Sequence, residues 1–224
     1  MAPNDDQGLL VSYLTLQRVV GILGVALPIV VVLWGFTLLG RAEIQPSLSD
    51  YYALRTRDAL VGILFAIAWF LFTYRGYERQ DDIAGNLACL FALGVALFPN
   101  SGAGWEHVVH FGCALALFLV LSYFSMFLFT KSSGFPTPQK RIRNRIYIGC
   151  GAIMVARIAL IGLYYWLFRD TILAQWKPVF WLESMALWAF GFSWFVKGET
   201  LFKDTGLWTE ANSAERRSPL TAST

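Results

Sequence analysis

Trp105–Thr130, WEHVVHFGCALALFLVLSYFSMFLFT, contains a single acidic residue, Glu106, and no lysine or arginine. About 20 apolar residues, each rising 1.5 Å, cross the hydrocarbon core of a bilayer, so this stretch is long enough to span one. Five further runs resemble it: 19–39, 58–75, 83–98, 146–168 and 178–196. Short connections between such runs make successive helices antiparallel neighbours. The expectation is an all-α, six-helix transmembrane bundle over residues 19–197, preceded by a cytoplasmic segment 1–18. A polar, disordered cytoplasmic tail is expected over 198–224.

Composition agrees with lipid as the solvent. Of 224 residues, 56% are hydrophobic and only 15% charged, where a soluble domain carries about a quarter charged residues. Nine Trp, nine Tyr and eighteen Phe suit the aromatic belts at the two membrane interfaces. A net charge of +3 gives no reason to expect a nucleic-acid partner. The acidic start MAPNDDQGLL lacks the basic region of a cleaved signal peptide, so the first run is expected to be retained. Cys89, Cys113 and Cys150 form no CxxC pair and match no zinc framework; they are read as small packing residues.

Cationic residues set the expected orientation, because lysine and arginine accumulate in cytoplasmic loops. With the N-terminus inside, inner segments hold twelve of them and outer segments five, with Arg157 inside a span. Both termini are therefore expected on the cytoplasmic side of a cell membrane. The basic half of the loop Lys131–Arg145 acts as a topology determinant and can also attract anionic headgroups. The turn TYRGYERQDD is expected to cap the third span through Asp81 and Asp82, since acidic residues favour a helix N-terminus. Gly21, Gly24 and Gly35 suit close helix packing in the first span.

Ionisable groups at membrane depth are costly and mark candidate sites. His107 and His110, the only histidines, share one helix face at i and i+3. His110 and Glu183 each lie roughly 8 Å below the outer start of their spans. Asp58 opens the second span, and the outer loop before it carries Ser49 and Asp50. Two histidines with a carboxylate can hold zinc, whose bound water would attack a lipid amide or ester. On that reading His107 and His110 are metal ligands, and Ser49, Asp50, Asp58 and Glu183 are candidate catalytic groups. The alternative keeps the same groups as an outward-facing polar cluster that is structural, binds a lipid or small-molecule ligand, or senses pH. Arg157, about 16 Å from either end of its span, is expected to pair with Glu183 inside the bundle.

The stretch from SLSDYYALRTRDALVGILFAIAWFLFTYRGYERQDD through ALFP, with HFGCALALFLVLSYFSMFLF and WLESMALWAFGFSWFVKGE, resembles an uncharacterised family of small bacterial integral membrane proteins. That resemblance covers roughly residues 15–200 and implies six spans in a bacterial inner membrane, with no activity attached. The chain is also faintly similar to the alkaline ceramidase and progestin-receptor-like membrane hydrolases, which combine Ser, Asp and three His at zinc. This second resemblance implies comparable parts for Ser49, Asp50, His107 and His110. The chain departs from it in having six spans, two histidines and an HxxH spacing.

Overall fold

The computed structural model describes residues 5–39, 44–76, 78–101, 104–132 and 135–202, with the side chains of 5–12 left out. Six helices account for most of them: α1 (Asp5–Leu39), α2 (Arg57–Thr73), α3 (Arg79–Leu97), α4 (Trp105–Tyr123), α5 (Pro138–Leu167) and α6 (Pro178–Lys197). No strand occurs among the described residues. All but α2 are long and apolar enough to cross a membrane; α2, with 17 residues, falls just short. Each helix packs on its sequence neighbours, and α6 closes the ring against α1.

Helices begin earlier than the apolar runs suggest. α1 starts at Asp5, so the segment expected to precede the membrane domain is largely helical. There Tyr13 Oη donates to the Arg75 carbonyl at 2.7 Å, and Arg18 Nε donates to that of Gly198 at 2.8 Å. α5 likewise starts at Pro138, with the Thr137 hydroxyl accepting from Lys140 N–H at 3.0 Å. A proline at the first helical position and a threonine cap before it are ordinary start signals. The basic half of the expected loop is thus helix, because hydropathy reports contact with lipid and helicity does not require it.

The third helix also starts early, at Arg79, and Asp81 takes part in its cap as expected, in a reciprocal capping box with Glu78. Lys131 Nζ reaches Glu78 at 2.9 Å, a bond that holds the ammonium above its ordinary pKa. Residues 198–202, placed in the tail on sequence, are fastened to the bundle: Arg143 Nη1 donates to the Phe202 carbonyl at 2.6 Å. The rest of that tail, with Lys203, Arg216 and Arg217, lies outside the described residues, as does Arg41.

Two contacts set the packing. A Cβ on Gly21 would sit 2.7 Å from the Gly191 carbonyl oxygen, and one on Gly191 would sit 2.5 Å from that of Gly21. This mutual fit brings α1 and α6 to backbone contact, the use expected of small residues between membrane helices. Gly24 packs on the Phe190 ring, whereas Gly35 faces Tyr51 and Thr56. One end of the bundle is filled by Tyr74, Phe124, Phe129, Tyr147 and Trp194, with the Tyr74 and Trp194 ring centroids 5.1 Å apart. Within that region α4 passes into a π-helical turn, Phe124–Leu128. Ser122 and Ser125 donate to the Gly151 and Tyr147 carbonyls of α5.

Candidate functional site

The other end of the bundle is closed by residues 44–56, which include a 3-10 turn at Ser49–Ala53. Its Leu48, Tyr51 and Tyr52 side chains are buried, and its backbone groups need partners away from water. Backbone and side-chain bonds tie it to three helices. The Pro46 carbonyl accepts from Phe180 N–H at 3.0 Å, and Leu48 N–H donates to Glu183 Oε2 at 2.7 Å. Tyr52 Oη donates to the Leu97 carbonyl at 3.1 Å and accepts from Arg57 Nη2 at 2.9 Å.

The histidines complete the cluster, though not as a pair. His110 is almost fully buried: the Phe98 carbonyl oxygen lies 2.8 Å from Nδ1, Ser49 Oγ lies 3.0 Å from Nε2, and the Val95 carbonyl also accepts from the ring. A carbonyl can only accept, so Nδ1 bears a proton, and in the neutral imidazole Nε2 offers its lone pair to the serine hydroxyl. His107 Nδ1 donates to the Asn100 carbonyl, and its ring meets Phe111 edge-on at 4.6 Å. Asp50 accepts from Asn100 Nδ2 at 2.7 Å and from Ser47 N–H at 2.9 Å.

The loop therefore does fold back over α4, and it brings Ser49, Asp50, His110 and Glu183 to one end of the molecule. Asp58 is left out: it lies exposed in the first turn of α2, where its charge suits the helix dipole. A zinc centre gains little from this arrangement. Both Nδ1 atoms face carbonyls, and among the described residues no three His, Cys, Asp or Glu side chains form a metal-binding group.

Arg157 takes a different partner from the one expected. Its guanidinium carbon lies 3.6 Å from the centre of the Phe118 ring, and no salt bridge joins it to Glu183, whose Oε2 accepts from Leu48. Arg157 is 7% exposed, its Nε has no hydrogen-bond partner, and Glu183 acts on it only through its field. A desolvated cation over an aromatic face gains about 2 kcal/mol, which explains how the charge is held without a direct ion pair.

Asn100 and the Phe98 carbonyl were missed on sequence. The Pro99-Asn100 dipeptide marks a turn, but no residue pattern reveals which carbonyl a distant imidazole will meet. Beside the cluster, the α5 face that is buried at Cys150, Met154 and Arg157 becomes half-covered at Ile161 and Tyr164. Tyr165, next on that face, is 47% exposed and lies within electrostatic reach of Glu183 and Asp50.

Compared with family models, curated proteins and solved structures, the chain matches none. Its functional reading therefore rests on the site. Five apolar helices make it compatible with a multi-pass membrane protein.

Proposed function

We propose that the chain is a six-span protein of the cell membrane with both termini cytoplasmic, and that its outer polar cluster binds the ester or amide region of a membrane amphiphile. The orientation rests on the excess of cationic residues in the inner segments. At 17 residues α2 is at the lower limit for a span.

The observation that carries the binding reading is depth. His110 and Glu183 each lie five residues beyond the first residue of α4 and α6, roughly 8 Å in. Headgroup and interfacial layers take up about 5–7 Å per leaflet. The cluster thus stands where acyl linkages meet the headgroups, beside the uncovered part of α5. Hydrogen bonds hold the polar groups in place, so a ligand need not order them on binding.

A phosphatidylcholine carrying a photoreactive group next to its acyl carbonyl, incorporated in nanodiscs with the protein, tests this. Crosslinks are expected to concentrate, at least about threefold, on residues 47–50 and 161–165. Even labelling along the lipid-facing sides of α1 and α3 would leave the cluster as a structural tie only.

A further inference from the structure

Within the cluster, the Ser49–His110 contact differs from every other serine contact described in the helices. Ser122, Ser125, Ser184 and Ser193 all donate to backbone carbonyls. Ser49 instead presents its hydroxyl, at 3.0 Å, to an imidazole nitrogen. The Phe98 carbonyl holds the far side of that ring at 2.8 Å and so keeps the lone pair on Nε2. A hydroxyl bonded to a base that is itself oriented by a third group is the geometry of an activated nucleophile. His107 is an internal contrast, since its hydrogen bond goes to the Asn100 carbonyl and no hydroxyl is described against its ring.

Burial supports the same reading. His110 is 1% exposed, while Ser49 is only partly buried, so the base is more shielded than the residue that carries the hydroxyl. Ser49 also belongs to the short 3-10 turn of the loop, at the level where an acyl carbonyl would arrive from the bilayer.

We propose that Ser49 and His110 form a metal-independent acyl-transfer pair acting on an ester or amide of a membrane amphiphile, which rests on the binding reading above. Ser49 Oγ attacks the acyl carbon while its proton passes to His110 Nε2. The tetrahedral intermediate collapses, the bond from carbon to the leaving oxygen or nitrogen breaks, and the imidazolium returns the proton to that atom. Water then attacks the acyl-Ser49 ester, giving its proton to His110, and the carboxylic acid departs as Ser49 is restored. While His110 is charged, its Nδ1–H stays on the Phe98 carbonyl, and the Asp50 carboxylate acts on it at longer range.

An alkyl fluorophosphonate tests the pair, because attack by a serine oxygen on phosphorus expels fluoride and leaves an adduct visible by mass spectrometry. Full-length protein in detergent is expected to give one adduct, on Ser49. The adduct should be absent in Ser49→Ala, slowed at least about 100-fold in His110→Ala, and retained in His107→Ala. An unlabelled Ser49 in folded wild-type protein would overturn the proposal, as would equal labelling of His110→Ala. If His110→Ala fails to fold, the wild-type rate decides: it should rise with pH as one group loses a proton, and a flat profile between about pH 5 and 8 overturns the base role. Photolabelled lipid at the site without a Ser49 adduct leaves binding intact and removes the chemistry. A Ser49 adduct without lipid enrichment does the reverse.

Discussion

Arg157 shows how one residue's role depends on which neighbour it meets. Its position in the middle of a span demands a partner, and Glu183 is the obvious one by charge. The structure stacks the guanidinium on Phe118 and gives Glu183 to the Leu48 amide. Arg157→Met, which keeps the bulk against Phe118, is expected to stay within about 1 kcal/mol of wild type, as apolar replacement of buried charge often does. Glu183→Gln keeps an acceptor for Leu48 N–H, whereas Glu183→Ala should cost about 1–3 kcal/mol. Unfolding in mixed detergent measures all three. A double-mutant cycle of Arg157→Met with Glu183→Gln should show coupling below about 1 kcal/mol, and coupling above about 2 kcal/mol would restore the ion pair.

At the scale of helices, the contact between α1 and α6 is the most sensitive. Gly21 and Gly191 oppose each other's carbonyls, so an added methyl on either must move backbone. Gly191→Ala is expected to lose about 1–3 kcal/mol, the range for overpacking. Gly62, around whose Cβ position nothing lies within 4 Å, is the matched control. Gly62→Ala should gain up to about 1 kcal/mol through helix propensity. Thermal melts of both variants in one detergent separate the effects, and equal behaviour would remove the close contact. Helix ends were legible where capping chemistry marked them, as at Asp81 in the turn before α3. They were missed where hydropathy alone was followed, because α1 and α5 both extend past their apolar parts.

For the whole molecule, orientation is open to direct measurement. In a chain whose native cysteines are replaced, Thr171→Cys between α5 and α6 should react with a membrane-impermeant maleimide on intact cells. Ser132→Cys, between α4 and α5, should react only after permeabilisation. The opposite pattern would invert the protein, and equal reactivity of both would remove a span.

Sequence by itself determined the helical class, because long apolar runs have few ways to satisfy their backbone in lipid other than helices. It also placed His107 and His110 on one face, since helical periodicity is local. Tertiary structure alone decided their partners. A hydrogen bond between Ser49 and His110 links positions 61 residues apart, and such distances are set by how the loop closes over the bundle. Both histidines that read as a metal pair meet backbone carbonyls, and that closure adds a serine to only one of them. Residue types propose the chemistry, but only the fold brings a hydroxyl to a base.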